Sequence, residues 1–283
     1  MFKALSSLVK TALFGVLFVA GGSLAAQAAV TLDTFTGMEG TISIAGGTAH
    51  IPVMNTAAKN IMTHNPKIQI TVAGGGSGVG VKQVGEGLVD IGNTGRPLKE
   101  DEITRYGLLT FPFAIDGVAV VVHPGNAVSA LDFEQVKAIY SGAVTNWKDV
   151  GGADAPISLY TREDGSGTRE VFVEKAISNG EILLTAAIVT SNGAMKTAVG
   201  KDANAIGYVG IGHVDDSVKA LDINGIAATQ EKAASGEYPV TRKLFMNTKG
   251  ELAPLVRAFI DYILTSKDGE EAIVNAGYIP LSR

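Results

Sequence analysis

The run Arg162-Glu163-Asp164-Gly165-Ser166-Gly167-Thr168-Arg169 joins a strand-like segment, Ile157 to Thr161, to a helix-like one, Thr168 to Ser178. A glycine-relieved turn that feeds a helix leaves the first N–H groups of that helix unpaired and aims the positive end of its dipole at one point. Ser166 and Thr168 bring hydroxyl donors, and Arg162 brings a planar cation able to grip a tetrahedral oxyanion through two bonds. The same residues also make an ordinary capped helix with a surface arginine, since Ser and Thr are common N-caps and Asp-Gly-Ser is a common turn.

Outward from this junction, two more strand-to-helix loops follow the same logic. Gly46-Gly47-Thr48-Ala49-His50 opens a helix with Thr48, and Gly74-Gly75-Gly76-Ser77-Gly78-Val79-Gly80 offers backbone that a ligand can approach closely. Strands are expected at Thr41 to Ile44, Ile68 to Val72, Asp90 to Gly92 and Gly117 to Val122, and helices at Ile51 to Thr63, Gly80 to Gly87, Lys99 to Tyr106 and Phe133 to Tyr140. Helices at Leu252 to Leu264 and Gly269 to Asn275 close the chain. Alternation of this kind predicts an α/β fold with mixed, mainly parallel sheets flanked by helices. In such folds loops at the carboxyl ends of parallel strands converge on the ligand. The chain is expected to cross into a second lobe near Pro124 and to return near Pro239 to Phe245, giving lobe 1 as residues 29–122 with 246–283 and lobe 2 as residues 123–245. Two crossings make a hinged cleft.

Composition sets the surroundings. The 283 residues are 46% hydrophobic and 18% charged, as in a folded globular protein, and 35 glycines exceed the usual roughly 7% and call for many tight turns. A formal charge of −5 argues against a nucleic-acid partner held through its phosphates. Residues 1–28 read as a secretory signal, with Lys3 and Lys10, an apolar stretch from Thr11 to Ala20, and Ala26-Gln27-Ala28 as a cleavage site ahead of Ala29. Cleavage there leaves 21 basic and 28 acidic residues, a charge of −7. With no cysteine, the chain carries no disulfide or thiolate metal site, and a monomeric, soluble, exported protein is expected.

Enzyme chemistry lacks its motifs. The glycine run fails the dinucleotide fingerprint, no P-loop lysine occurs, and neither Ser77 nor Ser166 lies in a nucleophile elbow. His50, His64, His123 and His213 are scattered as expected for surface or loop residues, with no zinc spacing among them. Neither a cofactor nor a metal is expected. Trp147 is read as packing a loop against the second lobe, and Lys99 to Arg105 as a solvated charged helix.

Thr48 to Val53, Ser77 with Val81-Lys82-Gln83, Val89-Asp90-Ile91-Gly92, Thr145-Asn146-Trp147 through Gly151-Gly152, Arg162 to Arg169 and Gly277-Tyr278-Ile279-Pro280 together resemble the periplasmic phosphate-binding proteins of ABC importers. The resemblance spans nearly all of the chain after the leader. It implies a two-lobed, two-crossover binding-protein fold that captures inorganic phosphate in its cleft and delivers it to the membrane subunits of an ABC permease. It places the Thr48 hydroxyl, the Ala49 N–H and Ser77 on the anion from one lobe, with Arg162, Ser166, Gly167 and Thr168 from the other, and Asp164 as an orienting partner for Arg162 or an exposed turn residue.

One departure stands out. The family carries an aspartate, acceptor of the phosphate proton and barrier to sulfate, where this chain has Thr94-Gly95-Arg96. Asp116, the only acid between Leu108 and Val122, is the candidate substitute, or else a solvated turn residue. Arg96 is expected either to add charge to the cleft or to pin its loop to a carboxylate. The alternatives left by the sequence are a receptor for sulfate, arsenate or vanadate, a secreted phosphatase, and a sensor or adhesion module.

Overall fold

A computed structural model describes residues 30–281; the expected leader and cleavage site lie outside the described residues. The chain begins with β1 (Gly40–Gly46), α1 (Ile51–His64), β2 (Ile68–Gly75), α2 (Gly76–Gly85), β3 (Ile91–Thr94), α3 (Glu100–Tyr106) and β4 (Leu108–Val122). It continues through β5 (Ala130–Leu131), α4 (Phe133–Ser141), β6 (Ser158–Arg162), α5 (Gly167–Lys175), β7 (Ala187–Val189), α6 (Asn192–Lys201) and β8 (Ala205–Gly210). After β9 (Lys219–Ala220), β10 (Asp222–Ile223) and α7 (Gln230–Ser235) come β11 (Thr241–Lys249), α8 (Pro254–Thr265), α9 (Lys267–Asn275) and β12 (Ile279–Pro280).

The main sheet runs β2-β1-β3-β11-β4-β8-β6-β7. Its two ends are parallel, β1 with β2 and β3 on one side and β6 with β7 and β8 on the other, while β4 and β11 pair antiparallel in the middle. The fold is therefore the expected mixed α/β arrangement, with two parallel halves joined by two long strands. Two apolar cores flank the join. One contains Ile42, Ile44, Val53, Ile91, Phe113, Ala114, Leu244 and Met246. The other contains Val118 to Val122, Val136, Phe172, Ile206, Val209 and Val240. The changeover thus falls between Ala114 and Val118 in β4 and between Val240 and Leu244 in β11, a few residues ahead of the boundaries read from the sequence.

Three element boundaries differ from expectation, one for a long-range reason and two for local ones. β4 starts nine residues before the expected Gly117, because its first half pairs with β11, a strand distant in the sequence that no local pattern reveals. Pro112, which cannot donate to a ladder, sits at the irregularity in that pairing. α2 begins at Gly76 rather than Gly80, since Gly75 and Gly76 take the positive φ angles that turn the chain straight from strand into helix. α5 stops at Lys175, short of Ser178, where Ser178 and Asn179 enter the left-handed region. Trp147 is buried in the second core and donates its indole N–H to Asn204 O at 2.9 Å, as its expected packing role requires.

Candidate functional site

At the seam between the two halves lies a small, tightly closed chamber of about 10 Å³. It is bounded by the turn Gly47 to His50 that leads into α1, by Gly76 and Ser77 at the start of α2, by Gly95, and by Arg162, Ser166, Gly167 and Thr168 from the β6–α5 junction. The starts of three helices, α1, α2 and α5, border this one small volume, and the N-terminal end of a helix carries the positive end of its dipole. Thr48, Ala49, Ser77, Arg162, Ser166, Gly167 and Thr168 are all brought together there, and each is buried.

Each hydroxyl is held by a protein donor. Thr48 Oγ1 accepts from the side chain and backbone of Asn192, at 3.0 and 3.3 Å. Ser77 Oγ accepts from Gly95 N at 3.0 Å, Ser166 Oγ caps α5 by accepting from Arg169 N at 3.3 Å, and Thr168 Oγ1 accepts from Arg242 Nη1 at 2.9 Å. Arg162 is 1% exposed. Its Nε and Nη2 are committed to Glu163 at 3.0 and 2.8 Å and to the carbonyls of Val189 and Thr190 at 3.1 and 3.3 Å. Nη1 has no partner among the described residues. A buried guanidinium donor left unpaired is costly, so an anion in the chamber is the partner this geometry lacks. The backbone behind it is fixed by Tyr208, whose hydroxyl accepts from Arg162 N at 3.0 Å and whose ring stacks on Phe172 at 4.1 Å.

The site residues named with less support from the sequence fall elsewhere. Asp164 does not orient Arg162: its side chain is almost fully exposed and pairs with Arg169, while Glu163, the immediate chain neighbour, takes the role. Arg96 stays out of the chamber and pins its loop, donating to both oxygens of Glu102 at 2.7 Å and forming an ion pair with Glu170 at 2.8 Å. Asp116 is buried but does not line the chamber. It stands directly across the β4–β11 ladder from Arg242, and its Oδ2 accepts from Arg242 Nε and Nη2 at 2.9 and 2.7 Å. Burial raises this carboxyl above the ordinary aspartate range against the pull of the guanidinium. It is therefore a counter-ion to Arg242, not an acceptor facing a ligand.

Sequence reasoning missed Arg242, and it met Gly95 only as the position where the family's aspartate is absent; the structure puts Gly95 in the chamber wall. Arg242 lies in a strand whose neighbours gave no loop signal, and only the fold brings it beside Thr168. His50 also departs from expectation. It is fully buried in the chamber wall, packs edge-on to Phe113 at 5.5 Å and contacts Gly47 O through Nδ1 at 3.1 Å. Burial, then the charge of Arg242, pushes its imidazole down to about 3, so the ring is neutral at physiological pH. Among the described residues, no carboxylate lines the chamber.

A profile of the PBP superfamily domain matches residues 28–267. The phosphate-binding protein PstS of Bacillus subtilis is 37% identical over 246 residues, 86% of this chain and 81% of that protein. The chain belongs to the phosphate-binding protein family. Two solved structures from this family superpose on it. A phosphate ABC transporter substrate-binding protein of Clostridium perfringens, crystallised with bound phosphate, is 37% identical with a TM-score of 0.82, covering 86% of this chain and all, 100%, of the other. An ABC-type phosphate transport receptor of Vibrio cholerae is 35% identical with a TM-score of 0.67, covering 84% and 99%. The two-lobed fold expected from the resemblance is thereby shown for this member of the family. Across its cleft the two halves touch directly, through Thr48 with Asn192, Gly78 N with Gly165 O at 3.0 Å, and Arg96 with Glu170.

Proposed function

We propose that the protein binds inorganic phosphate in this chamber and delivers it to the membrane subunits of an ABC permease. The observation that carries the reading is the buried, unpartnered Nη1 of Arg162 in a chamber where three helix N-termini meet. Thr48, Ala49 and Ser77 bind from one lobe and Arg162, Ser166, Gly167 and Thr168 from the other. The lobes divide within β4 and β11, which act as the hinge strands. The relatives named above are binding proteins and transport receptors, which supports binding without chemistry. Export to the periplasm, with cleavage between Ala28 and Ala29, fits a receptor that meets its solute outside the cell. Among the described residues, no helix is long and apolar enough to cross a membrane. The permease recognises the closed form, since docking both forms equally would carry no information about loading.

Titration calorimetry tests this. The chain beginning at Ala29, unfolded and refolded to strip ligand, should bind inorganic phosphate one-to-one, and it should leave a chromogenic phosphate ester intact. Absence of phosphate binding would overturn the reading.

A further inference from the structure

Thr48 belongs to the lobe 1 loop that opens α1, yet its hydroxyl is gripped from the other lobe. Asn192, the first residue of α6 and fully buried, gives Thr48 Oγ1 two donors, its side-chain Nδ2 at 3.0 Å and its backbone N at 3.3 Å. The orientation of the amide follows from its other end. Gly210 N, at the end of β8, lies 3.2 Å from Oδ1, and a backbone N–H can only donate, so the oxygen faces Gly210 and the NH2 group faces Thr48. Gly210 is wedged in place, since an added Cβ would come within 2.7 Å of Asp116 Oδ2. The backbone N–H of Asn192 is one of the first-turn donors that a helix cannot satisfy itself, and here its partner comes from across the cleft.

A hydroxyl has two lone pairs and one proton. With both lone pairs of Thr48 Oγ1 taken by Asn192, only the proton is left to give, and among the described residues no protein acceptor takes it. Thr48 lines the chamber and Asn192 does not. We infer that Asn192 is a positioning residue for anion binding: from lobe 2 it fixes the Thr48 hydroxyl of lobe 1 as a donor to the ligand, and it does so only when the cleft is shut. The inference rests on the chamber being the phosphate site proposed above. Accepting two bonds also polarises the O–H group and makes it a stronger donor. Separation of the lobes takes both N–H groups away and leaves the hydroxyl free to turn. Ligand and Asn192 thus meet on one oxygen atom, and each strengthens the hold of the other.

The test is a double-mutant cycle between Asn192 and Thr48, read as phosphate affinity by calorimetry on the stripped chain. Asn192→Ala should weaken phosphate about three- to tenfold, the range of one neutral hydrogen bond, and Thr48→Val about 10- to 100-fold, the range of a bond to a charged group. The double variant should bind within about twofold of Thr48→Val alone, because without the hydroxyl Asn192 has nothing to orient. Asn192→Asp supplies a second variant should the first fail to fold. It keeps an acceptor for Gly210 N and replaces the amide donor by an oxygen that takes the Thr48 proton. Phosphate should weaken by about tenfold or more, and that loss should shrink by at least about threefold in the Thr48→Val background, whereas repulsion from the new charge alone would be the same in both. Losses that multiply in full across the cycle, or Asn192 variants that bind phosphate like the parent, overturn the inference and leave the phosphate reading intact. A parent chain that binds no phosphate removes that reading and the inference with it.

Discussion

Arg162 and Arg242 both present a buried guanidinium to the same chamber, yet they are held in opposite ways. Arg162 is carried by a strand-to-helix junction, leans on its sequence neighbour Glu163, and keeps one nitrogen unpartnered. Arg242 is carried by a hinge strand, answers Asp116 across the ladder, and spends its third nitrogen on Thr168. The first is built for a ligand and lacks something without one. The second is electrostatically complete in the protein alone, and it ties β11, β4 and the start of α5 into one unit at the changeover between the cores. A binding site of this kind thus has a contact that waits for the anion and a contact that holds the frame.

The sharpest way to break the comparison is Asp116→Asn. It removes the counter-charge from a guanidinium with almost no solvent contact, and breaking a buried pair by removing one partner costs about 3–5 kcal/mol. Chemical denaturation of the ligand-free variant should show a loss of that order. Phosphate should then raise the unfolding midpoint more in the variant than in the parent, because an anion in the chamber restores part of the missing negative charge. A variant as stable as the parent would mean that Arg242 is not held by Asp116.

A smaller effect reports the electrostatic reach of the same arginine. His50 is pushed from 6.5 to about 3 by burial first and by Arg242 second. Its folded pKa is depressed, so between those values the unfolded chain binds the proton and the folded chain does not. The stability His50 contributes is complete above pH 6.5 and drains as pH falls toward about 3, at about 1.4 kcal/mol per pH unit. Replacing His50 by Gln should flatten the acid limb of a stability-versus-pH curve by about that slope. An unchanged limb would show that the ring titrates normally and is not enclosed beside Arg242.

How the two arginines were found follows from where they sit. The Arg162 junction was legible because glycine, serine and threonine between a strand pattern and a helix pattern encode a local geometry. The same local logic located Thr48, Ala49 and Ser77, and the family resemblance set them around one anion. Arg242 was not legible, since its meaning comes from an opposing residue 126 positions away. Asp116 was singled out for the right reason, a carboxylate in an apolar run, but its neutralising partner lies on that other strand. Asp164 was left between orienting Arg162 and standing exposed in the turn because a turn can direct either of two adjacent acids toward the arginine, and only the side-chain geometry chooses Glu163 and leaves Asp164 exposed.

The weakest expected effect sharpens the contrast between frame and ligand contact, and it concerns Arg96. Glu102 holds this arginine from within its own lobe, through both carboxylate oxygens at 2.7 Å. Glu170 holds it from across the cleft at 2.8 Å, with Lys99 at 3.4 Å from the same carboxylate. The first pair lies within one lobe and the second spans the cleft, so an opening of the cleft is expected to leave the first intact and separate the second. Glu170→Gln should therefore lower phosphate affinity while leaving the stability of the ligand-free protein nearly unchanged. Partly exposed pairs contribute about 0.2–1 kcal/mol, which limits the loss to roughly fivefold, and it should shrink as salt is added. Glu102→Gln should do the reverse, costing stability with little change in affinity once folded, because it biases neither the open nor the closed form. Equal effects of the two substitutions on affinity would show that Arg96 acts as one fixed post, and the latch across the cleft would have to be abandoned.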